Sequence, residues 1–295
     1  MERRTFMLAA PTLALAGLAL KAEPAKAQTV REVDRGYVDV NGLHMYFESH
    51  GAGGTPLVLI HGAFSATGTS FGQLIPGLSA SRRVISLEMQ GHGHTADIDR
   101  PLRLEFMADD IPAALDALGI EQADVFGYSM GASIALRTTI RHPGRVRRMV
   151  FMGSTFRADG IQPGLIEGLA QMQPEMMHGT PFYEEYVEIA PSPENFDRLF
   201  AKKAEMDRAT TDIPDETIRG IGQPVLLIAG DSDFPTLEHM VRFFKLLGGG
   251  VFGDTPAGLP RSQLAILPAT SHISSASRAD ILPSIITKFL DREIA

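Results

Sequence analysis

The sequence predicts an α/β fold, a doubly wound and mostly parallel sheet, on three observations. Six short apolar runs rich in branched residues recur along the chain, helical patterns separate most of them, and a tight-turn hairpin signal precedes the series. The hairpin is "YVDVNGLHMYFESHG", two alternating runs around Asn41-Gly42, a pair that accepts positive φ at both central positions. The six runs are "PLVLIHG" (56–62), "RVISLEMQG" (83–91), "ADVFGYS" (123–129), "VRRMVFMGS" (146–154), "PVLLIAGDSD" (224–233) and "SQLAILPATSH" (262–272). Continuous apolar runs of this length, bounded by turn residues, suit strands covered on both faces. With the hairpin they make an eight-stranded sheet.

Helical periodicity is expected over 69–80, 103–118, 130–142, 234–247 and 275–292. The rhythm breaks between about Phe156 and Gly222, where Pro, Met and charged residues alternate with helical stretches such as 194–207. That span is too long for a simple crossover and reads as a helical lid, residues 156–222, inserted after the fifth or sixth strand. The core is then 28–155 together with 223–295. The stretch "GGGVFGDTPAGLP" (248–260) follows a helix and precedes a strand, so it belongs to the strands' N-terminal edge, away from ligand sites.

Residues 1–27 read as an export signal: Arg3 and Arg4, an apolar run from Met7 to Leu20 interrupted by Pro11, then "AKA" before Gln28. The run is shorter than the roughly 20 residues that span a bilayer. The adjacent arginines before "TFM" resemble a twin-arginine signal, with the general secretory route as the alternative, and either predicts a periplasmic or secreted bacterial protein. The whole chain has a formal charge of −8. Residues 1–27 carry four cations and two acids, which leaves the mature chain at −10. Nucleic acid and anionic membranes are poor partners for such a surface. The absence of cysteine excludes disulfides, thiolate nucleophiles and cysteine-based metal sites.

The chemistry centres on "VFGYSMGASIAL", residues 125–136, where an apolar strand gives way to a helix at Ser129. "GYSMG" fits G-x-S-x-G, in which Gly127 and Gly131 relieve crowding at a strained turn and leave the serine hydroxyl exposed. A serine hydroxyl is a poor nucleophile at neutral pH. It needs a base, a group that orients the base, and donors for the oxyanion. The N-terminus of the following helix favours negative charge at the same spot.

On this motif in this context the chain resembles α/β-hydrolase-fold serine hydrolases of the carboxylesterase and lactonase kind, over essentially all of the mature sequence and least clearly over 156–222. The resemblance implies the chain order Ser, acid, His. It implies Asp233 of "GDSD" as the orienting carboxylate, with Asp231 forming the turn, and His272, after the last strand, as the base. It implies an oxyanion hole from the backbone N–H groups of Met130 and of Ala63 in "HGAF". His61 then braces its loop, and His92 of "GHGHT" ties loops together. His44, His50, His142, His178 and His239 read as surface or packing residues.

A competing reading takes His92 and His94 as an H-x-H metal pair. The metallo-hydrolase pattern requires Asp at the fifth position, where Ala96 stands, and neither cysteine nor a following histidine completes a zinc set. Serine rather than aspartate in the elbow excludes epoxide and haloalkane chemistry and leaves acyl chemistry on esters, thioesters, lactones or diketones. The expectation is a cofactor-independent serine hydrolase of a small ester or lactone. The alternatives are a carbon-carbon bond hydrolase or enol-lactonase on the same triad, or a catalytically silent ligand-binding protein of this fold. Met172, Met176, Met177, Phe182, Tyr183 and Tyr186 are expected either to line an apolar pocket or to pack the lid onto the core.

Overall fold

The computed structural model describes residues 33–293, and the expected export signal lies outside the described residues. The hairpin forms as expected from β1 (Asp34–Val40) and β2 (Leu43–His50), with Asn41 and Gly42 at φ 49° and 86°. The six apolar runs become β3 (Leu57–Ile60), β4 (Val84–Leu87), β5 (Ala123–Tyr128), β6 (Val146–Met152), β7 (Val225–Ser232) and β8 (Gln263–Ser271). They join in one sheet of order β1-β2-β4-β3-β5-β6-β7-β8. β1, β2 and β4 pair antiparallel, and every pairing from β4 through β8 is parallel.

Apolar side chains leave the central strands on both faces, which explains why the runs are unbroken. Val58, Val125, Phe151 and Leu227 enter one core, while Leu59, Phe126, Val150 and Ile228 enter the other. The first core is closed by α3 (Leu104–Ala117), α4 (Met130–Arg141) and α9 (Leu237–Leu246), through residues such as Ile111, Ile134 and Phe243. The second is closed by α1 (Thr67–Phe71), α2 (Ile75–Leu78) and α11 (Leu282–Asp291), through Phe71, Leu78 and Phe289.

Two expected helices are interrupted. The 69–80 pattern splits into α1 and α2, and the 275–292 pattern is reduced to its second part, α11, after the short α10 (His272–Ser275). Pro76 and Pro283 each stand in the first turn of the second piece, where a missing N–H costs nothing. Pro112 shows the other outcome, because it lies inside α3. It cannot donate to the carbonyl of Ala108; the Thr138 hydroxyl of α4, which bonds the Ile134 carbonyl of its own helix at 2.9 Å, also lies 3.3 Å from that oxygen.

Between β6 and β7 the chain forms α5 (Leu165–Ala170), α6 (Pro181–Ile189), α7 (Phe196–Ala209) and α8 (Asp215–Arg219). These helices fill the span expected to be a lid. β3 lies between β4 and β5, although the chain runs from β3 to β4 before returning to β5 on the other side. Such a reversal opens a crevice at the carboxyl ends of the two strands, here just beyond Ile60 and Tyr128.

Thr138→Val keeps the shape of the side chain but removes the buried hydroxyl shared between the Ile134 and Ala108 carbonyls. It is expected to lower stability by about 1 kcal/mol in urea unfolding.

Candidate active site

Ser129 occupies the turn between β5 and α4 with φ 57° and ψ −119°, a conformation that L-residues rarely hold. The neighbouring glycines make it possible. A Cβ on Gly127 would sit 2.1 Å from the Gly131 carbonyl oxygen, and one on Gly131 would sit 1.9 Å from that of Ile60. The strained turn is further tied down by the Ser129 N–H, which donates to the Met152 carbonyl at 2.9 Å. Strand, turn and helix therefore have one arrangement, with the serine at its tip.

The structure brings Asp233 and His272 to that tip. His272 Nε2 lies 3.0 Å from Ser129 Oγ, and His272 Nδ1 lies 2.7 Å from Asp233 Oδ1. Asp233 is buried just after β7, where its oxygens also accept the N–H groups of Gly230 at 3.0 Å and Phe234 at 2.6 Å. Burial pushes its carboxyl up, but the hydrogen bond and charge of His272 and these two N–H donors outweigh it and hold the group below its ordinary value. An ionised carboxylate can only accept, so the proton between the pair resides on Nδ1. The Nε2 lone pair then faces the serine hydroxyl.

His272 begins α10, and its carbonyl accepts the Tyr128 hydroxyl at 2.9 Å and the Ser275 hydroxyl at 2.7 Å. Tyr128 also stacks on the imidazole at 5.3 Å between ring centroids. Burial and the Asp233 charge raise its phenol above the ordinary value, so it remains a donor. Asp231 sits apart from the imidazole line and accepts the N–H groups of Ala269 at 2.8 Å and Thr270 at 3.1 Å. Asp231 thus ties the end of β7 to the chain just before His272, a longer-range role than the turn-forming one expected of it.

The loop after β3 runs beside the serine. A Cβ on Gly62 would lie 3.4 Å from Ser129 Cβ, which puts the Gly62–Ala63 peptide against the hydroxyl-bearing residue. Among the described residues, neither the Ala63 nor the Met130 N–H finds a hydrogen-bond acceptor within the chain. Phe64 holds φ 59° in the same loop, and its ring stacks on Phe200 of α7 at 5.3 Å between centroids. Nothing in the sequence marks Phe64, because its backbone conformation comes from the loop around it.

The histidine pair at 92 and 94 is divided. His94 Nδ1 lies 2.9 Å from the buried Glu88 carboxylate, while His92 Nδ1 lies 2.9 Å from the Gln90 carbonyl. No group of three metal-ligating residues occurs among the described residues. The expectation that His92 ties loops together is corrected: its imidazole makes one hydrogen bond, to a residue two positions away, and Nε2 is buried without a partner. Burial and the neighbouring His61 push its pKa down to about 3.

The helices between β6 and β7 are fastened to the core by several polar contacts, among them those of Glu185 and Lys202. Glu185 of α6 accepts the N–H groups of Ala66 at 3.1 Å and Thr69 at 3.0 Å, at the start of α1. Lys202 of α7 donates to both oxygens of Asp97 at 2.7 Å and to the carbonyls of Ile98 at 2.8 Å and Arg100 at 3.0 Å. Of the apolar residues expected in this span, Met177 and Tyr186 are buried in the core, and Met172, Phe182 and Tyr183 pack against it. Met176 does neither, since 63% of it is exposed on a short surface turn.

Residues 55–179 match the model of a family described as alpha/beta hydrolase fold. The chain has the α/β-hydrolase fold. It is similar to a 2-hydroxymuconate semialdehyde hydrolase of Pseudomonas sp. (strain CF600), 40% identical over 131 residues, which are 43% of this chain and 44% of the relative. The match thus spans less than half the length of that curated relative. Among solved structures, the chain resembles the 2-hydroxy-6-oxo-6-phenylhexa-2,4-dienoate hydrolase of Rhodococcus sp. strain RHA1, with TM-score 0.70 and 18% identity over 88% of this chain and 99% of that one. It also resembles the enol-lactonase of Burkholderia xenovorans LB400, with TM-score 0.65 and 21% identity over 87% of this chain and 100% of that one. At these identities the likeness concerns the fold.

Two outcomes are expected for this fold. Gly131→Ala forces the elbow apart and is expected to destabilise the protein by about 3 kcal/mol in urea unfolding. His92 is neutral when folded and takes a proton more readily when unfolded, so stability falls as pH drops from 6.5 towards about 3. Its share of the loss between pH 7 and pH 5 is about 2 kcal/mol, and His92→Asn is expected to flatten the pH dependence of the unfolding midpoint accordingly.

Proposed function

We propose that this protein is a cofactor-independent serine hydrolase that cleaves a small ester or lactone through an acyl-enzyme. The observation that carries the reading is the unbroken line from Ser129 Oγ through His272 to the buried Asp233 carboxylate. In the first half-reaction Ser129 Oγ attacks the carbonyl carbon while its proton passes to His272 Nε2. Asp233 stabilises the imidazolium, and the oxyanion is met by the Ala63 and Met130 N–H groups. Collapse returns the proton from His272 to the departing alkoxide. Water, deprotonated by the same imidazole, then releases the acid and restores Ser129.

The charge pattern between β6 and β7 supports an uncharged substrate, because most cations there are committed to ion pairs. In the span between β6 and β7, Arg157, Arg198, Lys202 and Lys203 are ion-paired with Asp212, Asp97 and Asp207, and Arg219 with Glu216. The exposed Arg208 is the remaining cation of the helices there. A second reading, carbon-carbon bond hydrolysis of a diketone on the same triad, draws on the likeness to a 2-hydroxymuconate semialdehyde hydrolase and a 2-hydroxy-6-oxo-6-phenylhexa-2,4-dienoate hydrolase and predicts a preference for dienoate acids. The span between β6 and β7 is read as a lid over the site, and the arginine-led amino-terminal segment supports export to the periplasm or beyond.

Ser129→Ala is expected to lower kcat for p-nitrophenyl acetate by about 10⁴-fold or more and to abolish labelling by a fluorophosphonate. Asp233→Asn is expected to lower kcat by about 10⁴-fold with labelling slowed. Ser129→Ala activity equal to wild type contradicts the reading. A catalytically silent binder gives no adduct with the wild-type protein, and a metal hydrolase loses activity to a chelator and regains it with zinc.

A further inference from the structure

We propose that His61, Ser65 and Ser70 form a clamp on the Gly62 peptide that aims and polarises the Ala63 N–H as an oxyanion donor, an inference that rests on the serine-hydrolase reading above. His61 stands directly after β3. Its Nε2 accepts the Met89 N–H at 2.9 Å, and a backbone N–H can only donate. The imidazole proton is therefore on Nδ1, which lies 2.7 Å from the Gly62 carbonyl oxygen. Full burial holds this imidazole below its ordinary pKa and keeps it neutral, in the tautomer that the clamp requires.

The same carbonyl receives a second donor. Ser65 Oγ–H donates to Gly62 O at 2.9 Å, and having spent its single proton there it must accept from Ser70 Oγ at 2.7 Å. Ser70 Oγ in turn accepts the Gly62 N–H at 3.2 Å. The chain of donors runs one way, from the N–H of Gly62 through two buried hydroxyls and back to its own carbonyl. Hydrogen bonds that point in one direction strengthen one another. The left-handed turn at Phe64 is what brings Ser65 back over Gly62.

A trans peptide is planar, with its C=O and N–H directed oppositely. Two donors on the Gly62 oxygen thus fix where the Ala63 N–H points, and by drawing electron density towards the oxygen they make that N–H a stronger donor. The peptide lies against Ser129, and within the described residues the Ala63 N–H has no acceptor. His61 and Ser65 are positioning residues, since neither is required to touch the substrate.

The test compares Ser65→Ala with Ser65→Thr and wild type, reading ester kinetics and the ¹⁵N–¹H resonance of Ala63 in the same samples. Ser65→Ala is expected to lower kcat about tenfold with KM unchanged, a fraction of the 10²–10³ that follows loss of an oxyanion donor. The Ala63 ¹⁵N resonance is expected to move upfield, and Ser65→Thr, which keeps the hydroxyl, to restore both. His61→Gln extends the series where it folds. Thr139→Val, a buried hydroxyl loss within α4, controls for stability and is expected to leave kcat and the Ala63 resonance where they were. Unchanged kcat in Ser65→Ala, or an unmoved Ala63 resonance, overturns the clamp. A wild-type protein that neither hydrolyses esters nor labels with a fluorophosphonate overturns the hydrolase reading itself, and the oxyanion role with it, while the resonance still reports whether Ser65 polarises the peptide.

Discussion

The close approach of backbone to backbone around Ser129 is the constraint on which the site depends. Gly131 abuts the Ile60 carbonyl and Gly127 abuts Gly131, leaving no room for a side chain at either position. Ile60 and Gly127 face each other in the register of β3 and β5, and Gly127 faces Phe151 in β6. The elbow is therefore seated in the middle of the sheet, where strands on both sides resist its relaxation. Strain at one residue persists only because its surroundings over-determine it, and here the surroundings are also what places the Gly62–Ala63 peptide beside the hydroxyl.

The imidazole is held by different means. His272 follows β8, an edge strand, and it is fixed from several directions: Asp233 at one ring nitrogen, Tyr128 and Ser275 at its carbonyl, and the Asp231 hold on Ala269 and Thr270 just before it. Tyr128 neighbours Ser129 in sequence and reaches His272 across the site, so serine and histidine share a brace. The mobile reactant in this design is the proton, and each heavy atom around it is anchored to the end of a parallel strand.

Much of this was legible in the sequence, for reasons that differ by element. The strands could be read because double-sided burial demands unbroken apolar runs, and Asn41-Gly42 because so few residue pairs accept two positive φ values. Ser129, Asp233 and His272 could be located because a local motif and a chain order specify them. The interrupted helices were foreshadowed by Pro76 and Pro283, yet Pro112 carries the same local signal inside a helix. What differs lies outside the local sequence: Pro112 is buried inside α3, and the Thr138 hydroxyl of α4 comes within 3.3 Å of the freed Ala108 carbonyl. Phe64, Glu185 and Lys202 were not legible, since each acts through partners far away in sequence or through a backbone conformation imposed by its loop. The resemblance itself supplied Ala63 and Met130, whose side chains carry none of the expected role.

Trapping the first half-reaction tests the central claim most directly. Rapid acid quench of the wild-type protein with an activated ester, followed by digestion and mass spectrometry, is expected to show one acyl group on the peptide that contains Ser129, formed and lost at rates that match turnover. Turnover with the acyl group on another residue, or with no acylated peptide under conditions that slow deacylation, contradicts it.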